Sequence, residues 1–73
     1  MTSLPQVYGR QCLRVLTKKG FRFKRQNESH MIVRRDEPYA QVVVPDHKTL
    51  DRGTLRLILR QAGMTTEEFI TML

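Results

Sequence analysis

The sequence contains very little cysteine, and this limits the classes of protein to which it can belong. Cys12 is the only cysteine among the 73 residues, so no disulfide can form within the chain. Secreted domains of this size usually depend on several disulfides, whereas the cytoplasm keeps thiols reduced. The cysteine content therefore favours a cytoplasmic protein.

Long apolar runs are also missing. A membrane-spanning helix needs about 20 predominantly apolar residues, and no window of the sequence approaches that length. The N-terminus lacks the apolar segment of a secretory signal. Both absences predict a protein that is neither inserted in a membrane nor exported.

Acidic residues are scarce relative to basic ones. The sequence has seven Asp and Glu residues and 13 Lys and Arg residues, which gives a net charge of +6. Such an excess favours a polyanionic partner, namely nucleic acid, an anionic membrane or an acidic protein. The sequence also has no glycine-rich phosphate loop, which argues against nucleotide hydrolysis.

The chain is short, so we expect a single domain over residues 1–73 with a modest core. Three stretches have apolar residues at the spacing of a helix. In the first, which Gly20 ends, they are Cys12, Leu13 and Leu16. In the second, which Gly63 ends, they are Leu55, Ile58, Leu59 and Ala62. The third begins at Thr66 behind a capping box of Thr65 and Glu68, and is expected to bury Phe69, Met72 and Leu73.

Between the first two helices the apolar pattern changes to a period of two. Strands are predicted around 21–24, 30–34 and 39–44, joined through residues 26–28 and through a turn at 36–38. At these loop lengths the strands pair as antiparallel hairpins.

This order of elements predicts an α+β fold of the type α-β-β-β-α with a short C-terminal helix. A three-stranded antiparallel sheet needs one covered face, which two helices can supply. The arrangement is that of a double-stranded-RNA-binding-like fold, although a fold alone does not establish a function.

Basic residues occur on two separate elements. Those on the strands are Arg22, Lys24, Arg25, Arg34 and Arg35, and those on the second helix are Arg52, Arg56 and Arg60. An isolated charge run is usually a solvated face, but excess positive charge on two elements favours a phosphate-binding surface. A membrane surface is disfavoured, because no basic helix here keeps an unshared apolar face for lipid.

Two histidines are candidates for proton transfer. His30 opens the second strand among basic residues, and His47 follows the third strand. A lone histidine is more often structural, but RNA cleavage needs a group that titrates near neutrality together with cations that stabilise a charged phosphorane. His47 is most simply a surface histidine oriented by Asp46, with a second acid or base as the alternative. A metal site at Asp46, His47 and Asp51 lacks ligand spacing.

Other reactive or aromatic residues have simpler explanations. Cys12 lies on an apolar helix stripe and is expected in the core. Phe21, Phe23 and Tyr39 could stack on bases, but core packing is the favoured prediction for the two phenylalanines.

From about Tyr8 to Leu73 the sequence resembles the HicA-type mRNA interferase toxins, which are partners of HicB antitoxins. The resemblance rests on four segments: Lys19-Gly20-Phe21, Ser29-His30, Val44-Pro45-Asp46-His47, and Gly53-Thr54-Leu55 with Ile58-Leu59-Arg60-Gln61-Ala62-Gly63 and its continuation Thr66-Glu67-Glu68-Phe69. It implies a double-stranded-RNA-binding-like fold, ribosome-independent mRNA cleavage by His30 without a metal or other cofactor, and a HicB-type antitoxin that covers the active site.

The chain departs from the family at one position of its histidine motif. The family's Gly-Ser-His segment begins with glycine, where this chain has Glu28. Two hypotheses from different classes therefore follow: an endoribonuclease toxin that uses His30, and a non-catalytic RNA-binding module of the same fold.

Overall fold

The computed structural model describes residues 3–73 and contains three helices and three strands within them. The helices are α1 (Gly9–Lys18), α2 (Arg52–Ala62) and α3 (Thr66–Met72). The strands are β1 (Arg22–Asn27), β2 (His30–Asp36) and β3 (Tyr39–Pro45). They form an antiparallel sheet in the order β1-β2-β3, so the predicted α+β fold is confirmed.

The ends of α2 and α3 follow from local side-chain and backbone chemistry. The Asp51 carboxylate accepts a hydrogen bond of 2.6 Å from the Thr54 amide at the start of α2, and Gly63 ends that helix with a φ of 71°. A left-handed φ is easily adopted by glycine. The Thr65 hydroxyl caps α3 by accepting from the Glu68 amide at 3.0 Å. The predicted start of α3 at Thr66 is therefore confirmed.

One face of the sheet is covered by helices, and α1 and α2 pack mainly on β3. Alternate residues of β2 and β3 are buried on this covered face, namely Met31, Val33, Val42 and Val44. They pack with the apolar stripes of the helices in a continuous core. On the opposite side of the sheet, which we call the open face, no helix of residues 3–73 packs, so the side chains that alternate with the buried ones remain accessible.

Strand β1 lies at the edge of the sheet and is exposed along its whole length. Phe21, just before the strand, is buried as predicted, but the predicted burial of Phe23 is wrong, since 51% of its surface is exposed. Helices α1 and α2 lie over β3, so the covered face ends before it reaches β1.

The predicted burial of Leu73 is also wrong, because this residue lies beyond the last turn of α3 and is exposed.

The hairpin between β1 and β2 is tighter than the sequence suggested. We expected a connection through residues 26–28, whereas β1 continues to Asn27 and only Glu28 and Ser29 form the turn. A β-bulge between Phe23 and Arg25 shifts the register of this pair of strands. The bulge, at Lys24, absorbs one residue, so Arg25 and Ile32 become cross-strand partners.

Candidate functional site

His30 is the first residue of β2 and lies on the open face of the sheet. Its neighbours across the sheet are Asn27 on β1 and Pro45 on β3. The next residue, Met31, is buried against the helices, and successive strand residues point to opposite faces. The His30 side chain is exposed, and it forms no hydrogen bond with any residue of the described range 3–73. Its imidazole is therefore accessible to a ligand.

The turn before His30 holds its backbone in an unusual conformation. Glu28 has a φ of 57°, in the left-handed region that glycine adopts at little cost. The Glu28 carbonyl accepts a hydrogen bond of 3.1 Å from the Gln26 side chain, which stabilises the turn. The glycine that the family resemblance leads us to expect here would suit this conformation, so Glu28 adds both backbone strain and a negative charge.

Asp46 connects three elements around this turn. Its backbone amide donates to the Ser29 carbonyl at 2.7 Å. Its carboxylate oxygen Oδ2 lies 3.1 Å from Nη2 of Arg10 on α1 and 3.3 Å from Nε2 of Gln26 on β1. Asp46 therefore holds the end of β3 against both the hairpin and the first turn of α1.

The other carboxylate considered for metal binding has a different role. Asp51 caps α2, and the hydrogen bonds from Thr54 keep the pKa of its carboxyl below the usual range. Within the described residues, no three His, Cys, Asp or Glu side chains are grouped as they would be around a metal ion. The structure therefore does not bring Asp46, His47 and Asp51 together as a ligand set.

An open cleft of about 290 Å³ lies where α1 meets the end of β3. It is lined by Tyr8, Arg10, Asp46, His47 and Lys48. Gly9 makes the close approach possible, since a Cβ at this position would lie 2.0 Å from the Pro45 carbonyl oxygen. The Gly9 amide also donates to the His47 carbonyl at 2.8 Å. His47 thus faces the cleft, whereas His30 lies outside its lining, on the open face.

Sequence reasoning missed Tyr8, Arg10 and Lys48 as components of a site. Arg10 and Lys48 are far apart in sequence and meet only because α1 packs against the end of β3. The sequence contains one local signal, a glycine at the first position of α1, which is unusual unless another backbone approaches closely.

The predicted basic residues fall into separate groups. By cross-strand register, Arg22, Arg25 and Arg34 lie on the open face with His30, while Lys24 lies in the bulge. Arg22 forms an ion pair with Asp36, and Arg34 Nε lies 3.0 Å from Oδ1 of Asp36 at an angle too poor for a hydrogen bond. Arg25 and Lys24 form no ion pair within residues 3–73, so their charge is uncompensated locally.

Arg35 is separated from that group, because it lies on the covered side of β2. Its guanidinium stacks 4.7 Å from the centre of the Phe21 ring and donates to the Ala62 carbonyl at the end of α2. A cation over an aromatic face at this distance is stabilising. The structure therefore gives Arg35 a role in packing.

The arginines of α2 are all exposed, on the helical layer rather than on the open face. The chain enters α2 from the loop after β3, and α2 ends beside Arg35, near the opposite end of β2. Arg52 thus lies nearest the cleft, and at 1.5 Å per residue Arg60 lies about 12 Å further along the axis. The open face and the outer side of α2 are distinct basic surfaces.

Cys12 lies on α1 and is completely buried. Burial raises the pKa of the Cys12 thiol to about 12, which keeps it protonated and unreactive in the core.

Within residues 3–73, no helix is both long and apolar enough to cross a membrane.

Comparison with known protein families agrees with the resemblance seen in the sequence. Residues 9–64 match the family described as HicA toxin of bacterial toxin-antitoxin. A comparison with curated proteins gave no match. The family match spans α1, the whole sheet, α2 and the cleft residues Arg10, Asp46, His47 and Lys48, while Tyr8 lies just before it. Because it covers well over half of the chain, the chain belongs to the HicA family and is a toxin of a toxin–antitoxin system, which implies an antitoxin partner.

Proposed function

We propose that this toxin is a metal-independent, ribosome-independent mRNA endoribonuclease in which His30 is the catalytic residue. It acts in the cytoplasm and is neutralised by a HicB-type antitoxin. The observation that carries the proposal is the placement of His30. Its imidazole is exposed on the open face beside uncompensated cations, and no hydrogen bond within residues 3–73 engages it.

The chemistry requires little beyond proton transfer and charge stabilisation. The RNA 2′-hydroxyl attacks the adjacent phosphorus, a new P–O2′ bond forms, and the P–O5′ bond breaks. The products are a 2′,3′-cyclic phosphate and a 5′-hydroxyl. One proton leaves the 2′-oxygen and one reaches the departing 5′-oxygen. The neutral His30 imidazole can accept the first proton as a base, and the imidazolium so formed can then donate that proton to the 5′-oxygen as an acid.

Cations around His30 can stabilise the additional negative charge of the phosphorane. Arg25 is on the same face as His30, and Lys24 precedes Arg25 in the bulge. Arg22 and Arg34 are partly neutralised by Asp36, so we assign them mainly to binding of flanking phosphates. Preorganised charges of this kind are often the largest single contribution to catalysis.

The same surface is suited to inhibition by a protein. The open face is basic and carries exposed apolar side chains, including Tyr39 and Val43. An antitoxin with a complementary acidic surface would associate rapidly and exclude RNA from His30. Two classes of partner, RNA and the antitoxin, therefore compete for this face.

A direct test incubates the purified toxin with single-stranded RNA in EDTA and examines the product ends. Cleavage that yields 2′,3′-cyclic phosphate and 5′-hydroxyl termini supports the proposal. Binding without cleavage, in protein free of antitoxin, would instead support the alternative of a non-catalytic RNA-binding module. Glu28 favours that alternative, because it adds a negative charge in the turn two residues before His30.

A further inference from the structure

We propose that the cleft lined by Tyr8, Arg10, Asp46, His47 and Lys48 binds one unstacked nucleotide of single-stranded RNA next to the bond that is cleaved. The base stacks on the Tyr8 ring, and its phosphate lies by Lys48. This inference rests on the proposed function, which supplies RNA as the substrate. It extends that function by specifying that the RNA is single-stranded and that it contacts the toxin at a second place.

The cleft has the size and composition for a nucleotide. Its volume of about 290 Å³ is near the lower end of small-molecule pockets, which suits one nucleotide rather than a folded partner. Tyr8 is 43% exposed and therefore presents part of its ring to a ligand. Sequence-tolerant binding of single strands commonly combines such aromatic platforms with neighbouring cations.

The charges of the cleft favour an anion. Among the described residues, Asp46 is the acidic side chain of the lining, and it is paired with Arg10 at 3.1 Å. The Arg10–Asp46 pair is close to neutral, which leaves the Lys48 ammonium without an ion-pair partner in the described part of the chain. An RNA phosphate is the natural counter-charge for Lys48.

The position of the cleft makes it continuous with the His30 region. Pro45 is the cross-strand neighbour of His30, and the Asp46 amide binds the carbonyl of Ser29. Cross-strand Cα atoms are about 5 Å apart and consecutive ones about 3.8 Å. The Cα atom of His47 thus lies within about 13 Å of that of His30, a span that neighbouring nucleotides of one strand can cover.

A single strand is required by this geometry. A base inside a duplex is stacked on its neighbours and cannot lie on the Tyr8 ring, whereas unpaired bases are readily placed on aromatic side chains. The proposal therefore predicts that the toxin discriminates against duplex RNA, even though its fold resembles that of double-stranded-RNA-binding domains.

The test measures affinity for a short 2′-O-methylated single strand, which lacks the nucleophile and cannot be cleaved through a 2′-hydroxyl. Tyr8→Ala should weaken binding by about 5- to 150-fold, as expected for one lost base stack. Tyr8→Phe should retain most of the affinity because it keeps the ring. Phe23→Ala is the matched control, since Phe23 is an exposed aromatic residue that lies outside the cleft and, by its pairing with Val33, on the side of the sheet opposite His30.

The charged contact is tested separately, so that the result does not depend on how well the Tyr8 variants fold. Lys48→Ala should reduce the slope of log affinity against log salt by about 0.7, the value for one phosphate of a single strand. Arg14→Ala removes the same charge from an exposed position of α1 outside this cleft and should leave the slope unchanged.

The outcomes separate this inference from the proposed function. Loss of affinity in Tyr8→Ala and Lys48→Ala, but not in their controls, supports the nucleotide site whether or not the toxin cleaves RNA. Equal affinities for Tyr8→Ala and Phe23→Ala, an unchanged salt slope in Lys48→Ala, or equally tight binding of a 2′-O-methylated duplex would each overturn it.

Discussion

The backbone amide of Asp46 donates a 2.7 Å hydrogen bond to the carbonyl of Ser29, the residue immediately before His30. This bond joins the β1–β2 turn to the end of β3. Through the Asp46 carboxylate, the same residue also contacts Arg10 on α1. The position of His30 is therefore determined by the sheet, the turn and the first helix together.

The contact between Gly9 and Pro45 leads to a prediction about stability. Gly9→Ala should be destabilising by about 1–3 kcal/mol or more, because its Cβ would lie 2.0 Å from a backbone oxygen and α1 would have to move. Urea denaturation measures the change. In the control Gly53→Ala, the nearest contact is an ordinary 3.5 Å, so this variant should be neutral or up to about 1 kcal/mol more stable. Equal stabilities of the two variants would contradict the proposed close approach.

The conformation of Glu28 predicts that replacing this residue with glycine raises both the cleavage rate and the stability. Glu28→Gly should raise the cleavage rate and stabilise the protein by up to about 1 kcal/mol, since it removes left-handed strain and a negative charge beside His30. Glu28→Gln removes the charge but keeps the strain. Thermal unfolding and cleavage rates of both variants separate the two contributions. A slower Glu28→Gly enzyme would show that the carboxylate assists the reaction.

The ion pair between Lys19 and Glu68 predicts a dependence of stability on acid pH. Its hydrogen bond and charge attraction, together with a hydrogen bond from the Thr65 backbone amide to the Glu68 carboxylate, lower the pKa of Glu68 in the folded state. In the unfolded chain a glutamate has a pKa of about 4.3. The stability that the pair contributes is therefore fully present above that pH, and it is lost as the pH falls through the lower pKa of Glu68 in the folded protein. The test measures the urea concentration at the midpoint of unfolding between about pH 5 and 2. This midpoint should depend less on pH in Glu68→Gln than in the control variant Glu67→Gln. An identical dependence in both variants would argue against the pair.

The separation of the two basic surfaces predicts different salt effects. With a short single-stranded RNA, Arg25→Ala should reduce the slope of log affinity against log salt by about 0.7. Arg56→Ala removes the same charge from α2, on the other layer of the molecule. It should reduce the slope only for RNA that is long enough to reach α2 from the open face. If Arg56→Ala alone changed the slope for short RNA, α2 rather than the open face would be the primary RNA surface.

Local patterns predicted most of the fold. The stripe from Leu55 to Ala62 and the flanking residues Asp51 and Gly63 determine α2 through interactions within a few residues. A period of two shows which strand residues share a face, but it does not show which strand forms the edge of the sheet. For that reason Phe23 was predicted in the core although it lies on the exposed strand β1.

The candidate site was only partly predictable for a similar reason. His30 stands out in the sequence because it opens a strand among basic residues. The cleft, in contrast, exists because α1 packs against the end of β3, and no local pattern places Arg10 beside Lys48. Composition likewise could not separate Arg35, which packs over Phe21, from the arginines that remain on the open face.

The central claim is that proton transfer depends on His30, and a single-turnover cleavage assay in EDTA tests it most directly. His30→Ala should keep its fold and its RNA affinity, because the side chain is exposed and forms no hydrogen bond within residues 3–73. Its cleavage rate should fall by at least about 10²–10⁴-fold, the usual contribution of general acid–base catalysis. His47→Ala, which removes the other imidazole from the nearby cleft, should have a smaller effect. A folded His30→Ala protein that cleaves RNA at the wild-type rate would contradict the account.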